Sequence, residues 1–218
     1  MIAAPAWRAI ADVAALGPAT AVLDVGCGAG GFCAVAAAAG ATVSGIDHDA
    51  NALAAAHRQA PSADLRLGVM EALPWEDDHF DVVVGINAFQ YAADTLAALS
   101  EARRVARPGG TVVICKWGTP DESDLLALLQ RLTGRRAATA DAFATLAPAV
   151  AQAGLVEQAR DAVTVVLDVP DLETLTTRLQ RAGARIGHDA VRRAAAPFAT
   201  PAGGYRLRNR YRYLVAGA

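Results

Sequence analysis

The first half of the chain alternates between short, mainly apolar runs and longer amphipathic stretches. The apolar runs predict strands at residues 21–25, 41–47, 65–69, 80–86 and 111–115. The stretches between them predict helices at residues 5–16, 30–39, 49–59 and 94–106. The run at 80–86 is apolar almost throughout, which is typical of a strand covered on both faces. This alternation predicts a parallel sheet with helices on both sides.

The pattern changes after residue 117. It predicts helices at residues 121–132, near 145–153, at 171–182 and near 188–196, and long strands at 155–168 and 205–215. Two long strands late in the chain predict an antiparallel edge on the sheet. The predicted fold is therefore α/β, with a doubly wound, Rossmann-like, mostly parallel seven-stranded sheet and an antiparallel C-terminal edge strand.

Composition excludes several classes of protein. The chain has 218 residues, 54% hydrophobic and 19% charged, with a net charge of −2. These values fit a globular protein and provide no bulk field that would attract nucleic acid or anionic lipid. The N-terminus lacks the pattern of a signal peptide, and no apolar stretch is long enough to cross a bilayer. We therefore expect a cytoplasmic protein with neither nucleic-acid nor membrane partners.

The cysteines and the C-terminal arginines favour structural roles. The cysteines, Cys27, Cys33 and Cys115, lack C-x-x-C spacing and neighbouring histidines, so we expect buried thiols and no metal site. Alternate positions of the last predicted strand are basic: Arg206, Arg208, Arg210 and Arg212. This alternation favours the solvent face of a strand over a phosphate-binding patch.

A glycine-rich loop follows the first predicted strand. Gly26-x-Gly28-x-x-Gly31 matches the dinucleotide-binding pattern, and Asp47 follows at about the expected spacing of 20 residues. Asp24, two positions before the first glycine, changes this interpretation, because its carboxylate would repel a pyrophosphate. S-adenosylmethionine carries an ammonium and a sulfonium but no phosphate, so a carboxylate attracts it. The loop therefore favours S-adenosylmethionine over NAD.

The order of four motifs matches a known family. They are Asp-Val-Gly-Cys-Gly-Ala-Gly at 24–30, Gly-Ile-Asp at 45–47, Glu-Ala-Leu-Pro-Trp at 71–75 and Arg-Val-Ala-Arg-Pro-Gly-Gly at 104–110. The chain resembles the class I S-adenosylmethionine-dependent methyltransferases, in particular the small-molecule enzymes with a Leu-Pro-aromatic motif. The resemblance is strong over residues 20–118 and weak elsewhere. It implies methyl transfer to a small-molecule acceptor in secondary metabolism, with S-adenosylhomocysteine as the product.

Side-chain chemistry and the resemblance together suggest the cofactor contacts. The glycines let the backbone approach the cofactor, Asp24 can hold its ammonium, and Asp47 can accept both ribose hydroxyls. The expected contacts are Asp24, Gly26, Cys27, Gly28, Gly30, Asp47, His48, Met70, Glu71 and Asn87. His48 fits an adenine contact and a solvated loop equally well. The family often has Asp at the position of Val69, so we expect Glu71 or a backbone carbonyl to replace its adenine contact.

The substrate pocket and the catalytic group are less well defined by the sequence. The residues expected to line the pocket are Trp7, Phe89, Gln90, Tyr91 and Trp117, although the aromatic ones fit a core position equally well. The catalytic residue is unassigned, and the candidate bases are Tyr91, His188 and His57. Two alternatives stay open: a protein that binds the cofactor without catalysis, and an NAD(P)-dependent oxidoreductase.

The whole chain, residues 1–218, is expected to form one domain. Residues 1–20 would form an N-terminal helix or lid, and residues 21–118 the cofactor-binding half. Residues 119–218 would form the substrate-side half, with a helical insert at about 170–204. Few residues precede the first strand, so we expect Trp7 and the 170–204 segment, or a second subunit of a homodimer, to cover the substrate.

Overall fold

A seven-stranded sheet with the order β3-β2-β1-β4-β5-β7-β6 organises the computed structural model, which describes residues 4–134, 143–144, 146–181 and 186–218. The strands are β1 Ala21–Val25, β2 Thr42–Asp47, β3 Asp64–Leu67, β4 Phe80–Ile86, β5 Ala106–Trp117, β6 Val156–Val169 and β7 Tyr205–Gly217. Strands β1 to β5 pair in parallel, and β7 runs antiparallel to both β5 and β6. The predicted α/β sheet with an antiparallel edge region is confirmed, and β6 occupies the outermost position.

The helices cover both faces of this sheet. They are α1 Ala4–Val13, α2 Gly31–Ala38, α3 Ala50–Gln59, α4 Thr95–Val105, α5 Asp124–Thr133, α6 Ala147–Gln152, α7 Leu172–Arg181 and α8 His188–Ala195. On one face, α1, α2 and α3 share a buried apolar cluster with alternate residues of the central strands, including Val22 and Val84. On the other face, α4 and α6 share a second cluster with Leu23, Val83 and Ile114. The continuous apolar pattern of the central strands follows from this double coverage.

Short polar side chains set the start of several helices. Asp49 accepts a hydrogen bond from the Asn51 amide (2.8 Å) at α3, and Asp94 accepts one from the Ala97 amide (3.0 Å) at α4. These N-cap residues lie just outside the helix, because their own backbone is extended while the side chain satisfies a free amide. The helices predicted from residues 49 and 94 therefore begin one residue later.

The last third of the chain builds an extension beyond the parallel strands. Trp117, the final residue of β5, pairs with Tyr211, so the earlier part of β7 pairs with β6 alone. This two-stranded part, residues 164–169 with 205–210, is called the ribbon below. Helices α5, α7 and α8 cover one face of it and form a third buried cluster that includes Leu175 and Leu207.

The opposite face of the ribbon is open to solvent. Arg206, Arg208 and Arg210 are exposed on it and alternate with buried residues of the same strand, which confirms the predicted solvent face. Arg206 pairs with Asp168, and both Arg210 and Arg212 pair with Glu122. The ion pairs fit a solvated surface rather than a phosphate site.

Some predicted elements differ in length or lie partly outside the described residues. Strand β5 is much longer than the predicted 111–115, because the chain pairs with Phe80 at Ala106 and then bulges before pairing resumes at Thr111. Two predicted helices lie partly outside the described residues: the one near 145–153 at residue 145, and the one at 171–182 at residue 182. Residues 1–3 also lie outside them. Among the helices described, none has both the length and the apolar character needed to span a membrane.

Candidate functional site

The glycine-rich loop between β1 and α2 has a backbone that favours glycine. Gly26, Gly28 and Gly30 all have positive φ angles, of 70°, 54° and 78°. A Cβ at Gly26 would lie 2.7 Å from the Ala88 side chain, and one at Gly30 would lie 2.8 Å from Ala56. At Gly28 it would meet nothing within 4 Å. The outer two glycines thus let the loop pack closely, whereas Gly28 leaves its backbone open to a ligand.

Asp47, the last residue of β2, is held in place by backbone amides. Its Oδ2 accepts a hydrogen bond from the Gly28 amide (2.7 Å), and its Oδ1 accepts one from the Asp49 amide (2.9 Å). The His48 Nδ1 lies 3.5 Å from Oδ1, but the His48 side chain is 81% exposed. Each carboxylate oxygen can accept more than one hydrogen bond, so an oriented acceptor remains available to a ligand.

Asp24, near the end of the central strand β1, has very different surroundings. Its side chain is buried, and its Oδ2 accepts a hydrogen bond from the Cys33 thiol (3.3 Å). Burial raises the pKa of Asp24 to about 7, with a further contribution from the charge of Asp47, while the Cys33 hydrogen bond opposes the rise. A buried carboxylate without a cation is costly when ionised, so this position favours a positively charged ligand.

Two cavities lie at the carboxyl ends of the strands, where open α/β sheets bind ligands. The first, called the Asp47 cavity, has a volume of about 190 Å³ and is lined by Gly26, Ile46, Asp47, His48, Gly68, Val69, Met70, Glu71, Tyr91, Ala92 and Ala93. The second, called the Asp24 cavity, has a volume of about 240 Å³ and is lined by Trp7, Asp24, Gly26, Cys27, Gly28, Ala29, Gly31, Phe32, Ile86, Asn87, Trp117 and Tyr211. The two share Gly26. Of the predicted cofactor contacts, only Gly30 lines neither of them.

Two of the lining residues also hold loops together. The Glu71 Oε1 accepts hydrogen bonds from the Ala93 amide (2.7 Å) and the Asp94 amide (3.4 Å), which fixes the opposite wall of the Asp47 cavity. The Asn87 Oδ1 accepts a hydrogen bond from the Trp117 amide (2.8 Å), which joins the ends of β4 and β5. Their polar atoms are therefore partly engaged before any ligand arrives.

The loop after Glu71, which carries the Leu-Pro-Trp motif, is fastened to α4. The Leu73 amide donates to Glu101 (2.7 Å), and the Arg104 guanidinium donates to the carbonyls of Leu73 (3.0 Å) and Trp75 (2.8 Å). The Arg104 ion pair with Glu101 lowers the pKa of Glu101, and the same contact raises the pKa of Arg104. Trp75 itself is buried in the core, so the motif positions the Met70–Glu71 wall from outside the cavity.

The residues predicted for the substrate pocket separate into three groups. Trp7 and Trp117 line the Asp24 cavity, and Tyr91 lines the Asp47 cavity with 77% of its surface exposed. Phe89 is corrected to a core residue: it is fully buried, and its ring fills the space beside Gly85. Gln90 lines neither cavity.

The candidate histidines and the predicted cover lie elsewhere. His188 is exposed at the first residue of α8, and His57 is exposed on α3; neither lines the two cavities. The described part of the 170–204 segment also lines neither cavity, because its helices pack on the ribbon and α5. Helix α1 packs against α2 and β6 through buried residues such as Ile10, and Trp7 lies over Gly31.

Tyr211 is the functional candidate that the sequence did not suggest. It is almost fully buried, lines the Asp24 cavity and packs against Trp117, with ring centroids 4.5 Å apart and a tilt of 32°. Burial is the main cause that raises the pKa of its phenol. The alternating pattern of β7 does place Tyr211 on a buried face, but only the β5–β7 pairing brings it to this cavity. Among the residues described, no cluster of His, Cys, Asp and Glu could hold a metal ion.

Comparison with known proteins identifies the family. The family described as "Methyltransferase domain" matches residues 23–114. Demethylmenaquinone methyltransferase of Mycolicibacterium paratuberculosis is 32% identical over 166 residues, which cover 70% of this chain and 71% of that protein. The chain therefore belongs to this methyltransferase family.

Other similar proteins agree on the fold but differ in extent. An uncharacterized protein of Mycobacterium tuberculosis, Rv1405c, is 37% identical over 120 residues, which cover 53% of this chain and 44% of that protein. The chain thus spans less than half the length of this relative. The solved structure of geranyl diphosphate methyltransferase in complex with S-adenosylmethionine has a TM-score of 0.60, with 20% identity and coverage of 98% of this chain and 84% of that one. At this identity the likeness shows the fold alone.

Proposed function

We propose that this chain binds S-adenosylmethionine across the two cavities and transfers its methyl group to a small-molecule acceptor. The supporting observation is that two carboxylates of different character lie on either side of Gly26. Asp47 is oriented by backbone amides, and Asp24 is buried with no cationic partner among the residues that the structure describes. This combination suits a ligand with a neutral diol at one end and a positive charge at the other.

The residues present fit that cofactor. The Asp47 carboxylate can accept two ribose hydroxyls, the Asp24 carboxylate can pair with the ammonium, and the open backbone at Gly28 admits the chain between them. Glu71, Met70 and the exposed Val69 provide a wall for the adenine. NAD fits less well, because its pyrophosphate would approach the Asp24 carboxylate. When bound, S-adenosylmethionine supplies an electrophilic methyl group.

The contribution of the protein is to position the reactants and exclude water. Methyl transfer is an in-line displacement that depends on alignment. Of the described residues that line the Asp24 cavity, none is His or Lys. The acceptor atom must therefore be nucleophilic without losing a proton, or lose its proton to a group outside this lining. The Tyr211 phenol stays protonated, because its pKa is raised, and can offer a hydrogen bond to the acceptor. On this proposal residues 21–118 bind the cofactor and the later residues complete the acceptor side.

The acceptor proposed first is a small apolar molecule. Trp7, Trp117 and Tyr211 give the Asp24 cavity an aromatic wall, and the named relative acts on demethylmenaquinone, so this compound is a reasonable first acceptor to assay. The alternative, a protein that binds the cofactor without catalysis, is favoured by the lack of a basic side chain in the described lining.

Calorimetry with S-adenosylmethionine, S-adenosylhomocysteine and NAD tests the proposal. We expect micromolar binding of the first two, on the order of −8 kcal/mol, and much weaker binding of NAD. Tight binding of NAD with none of S-adenosylhomocysteine would overturn it. Transfer of labelled methyl from S-adenosylmethionine to an added acceptor panel, followed by extraction of the product, then separates the enzyme from the non-catalytic binder.

A further inference from the structure

The Asp24 cavity combines aromatic rings with a single carboxylate. Trp7, Phe32, Trp117 and Tyr211 all line it, and Asp24 is its buried acidic group. Among its described lining residues, none is Lys or Arg. Aromatic rings attract cations through their negative faces, and the attraction grows when water is excluded. The composition of this cavity is therefore that of a cation-binding site.

The proposed cofactor has an ammonium and a carboxylate on one carbon and a sulfonium further along its chain, so it brings two cationic groups to a cavity whose described lining has one carboxylate, Asp24. One carboxylate pairs well with one cation, and the ammonium takes that position in the proposed function. The sulfonium of the same ligand then has no anionic partner among the described residues of this cavity. The aromatic side chains are the groups left to stabilise its charge, and the thioether of the spent product has no such charge to stabilise.

Trp117 and Tyr211 are held firmly enough to act in this way. The Trp117 amide donates to Asn87, and the two aromatic residues face each other across the antiparallel β5–β7 pair. Their rings lie 4.5 Å apart between centroids, so each limits the rotation of the other. A fixed ring costs little entropy when a ligand binds beside it.

We infer that Trp117 and Tyr211 form an aromatic subsite for the sulfonium, by which this chain binds the methyl donor more tightly than the neutral product. The inference rests on the proposed function. It goes further because it assigns the preference for donor over product to Trp117 and Tyr211. These two residues pair across β5 and β7 and lie 94 positions apart in the sequence.

Binding titrations with three ligands test the subsite without any acceptor. S-adenosylmethionine carries a sulfonium, sinefungin carries an ammonium at the corresponding position, and S-adenosylhomocysteine carries a neutral thioether. In Trp117→Leu we expect roughly three- to tenfold weaker binding of the two charged ligands, with little change for the neutral one. Tyr211→Leu should act in the same direction, whereas Tyr211→Phe, which keeps the ring, should leave the ratio of donor to product affinity unchanged.

Tyr213→Leu is the matched control, since Tyr213 is a half-buried tyrosine on the same face of β7 that does not line the cavity. Its ratio of donor to product affinity should equal that of the parent, and circular dichroism should show every variant folded.

Equal losses for all three ligands in Trp117→Leu would overturn the inference, because they would indicate packing alone. If Trp117→Leu does not fold, Trp117→Met, which also lacks a ring, replaces it, and a ratio of donor to product affinity unchanged in both Trp117→Met and Tyr211→Leu would overturn the inference as well. Failure of the parent to bind any of the three ligands would instead overturn the proposed function.

Discussion

Asp24 and Asp47 are the same residue type at the ends of neighbouring strands, yet their surroundings prepare them for different partners. Two backbone amides donate to Asp47, one to each oxygen, so its carboxylate is oriented before a ligand binds. Asp24 is buried and receives one hydrogen bond from a thiol, which is a weak donor. Asp47 is thus a preformed acceptor, whereas Asp24 is partly protonated near neutral pH and a bound cation would favour its ionised form.

The comparison shows that the donors around a carboxylate decide what it can bind. The donors to Asp47 are backbone amides of Gly28 and Asp49, so the path of the chain sets the orientation of its carboxylate. Among the described residues no cationic side chain pairs with Asp24, so its ionisation depends on pH, on the Cys33 thiol and on any cationic ligand that binds beside it. Four predictions separate the two roles.

Replacing Asp47 should have the largest effect on cofactor binding. If Asp47 accepts both ribose hydroxyls as proposed, Asp47→Ala removes two charge-assisted hydrogen bonds, each worth about 1.5–3 kcal/mol, so we expect a loss of roughly 100-fold or more in affinity. Calorimetry with S-adenosylhomocysteine measures it. Asp49→Asn is the matched control, because it removes the same charge two residues away and keeps an N-cap side chain. An unchanged affinity in Asp47→Ala would contradict the ribose role.

Replacing Asp24 should stabilise the protein without ligand at high pH. The carboxyl has a pKa of about 7 in the folded chain and 3.8 as its ordinary value, so the folded state binds more protons between these values. The free energy of unfolding therefore falls as pH rises from about 4 to 7. Over any two pH units within this range, the fall is roughly 2–3 kcal/mol. Urea denaturation at pH 5 and pH 8 should show this fall in the parent and its absence in Asp24→Asn. Parallel curves for the two proteins would disprove the unfavourable burial of this charge.

Cofactor affinity should depend on pH through the same residue. If the ammonium pairs with ionised Asp24 as proposed, affinity should fall by about tenfold per pH unit below pH 7 and level off above it. Asp24→Asn should bind about tenfold more weakly at pH 8 and show a flat profile from pH 5 to 7. Titrations in buffers of different ionisation enthalpy would detect the proton released on binding. A parent profile as flat as that of the variant would rule out this pairing.

The smallest effect is expected from the thiol that contacts Asp24. Cys33→Ala removes the hydrogen bond that opposes the rise in the Asp24 pKa, so at pH 7 we expect about two- to threefold weaker cofactor binding. Cys33→Ser keeps a donor at this position and should bind like the parent. The same titration at pH 8.5 should show little difference among the three proteins. A loss that persists unchanged at pH 8.5 would indicate altered packing instead.

The first half of the fold and most of the residues that line the two cavities were predictable because their signals are local. Gly26 and Gly28 lie in one loop with Asp24 just before them, and Asp47 follows at a spacing set by one strand–helix–strand unit. The N-caps Asp49 and Asp94 are also local, so helix starts were predicted to within one residue.

The aromatic wall of the Asp24 cavity was less predictable because it depends on contacts between distant residues. The residues next to Tyr211 in the sequence do not indicate that it contacts Trp117, because this contact follows from the register of β7 against β5. Phe89 follows a strand end, as a pocket residue would, but the missing side chain at Gly85 opens a core position that its ring fills. Glu71 lines the predicted cavity, but the structure also engages it in a loop contact that its sequence position does not reveal.

The position of β7 between β5 and β6 has a consequence for the order in which the molecule forms during synthesis. In the described sheet β6 pairs with β7 alone, so its 14 residues have no partner strand until β7 has left the ribosome. The strands that carry Asp24 and Asp47 emerge much earlier and can pair as the chain lengthens. A nascent chain can therefore bring Asp24 and Asp47 together before Tyr211 of β7 completes the aromatic wall of the Asp24 cavity.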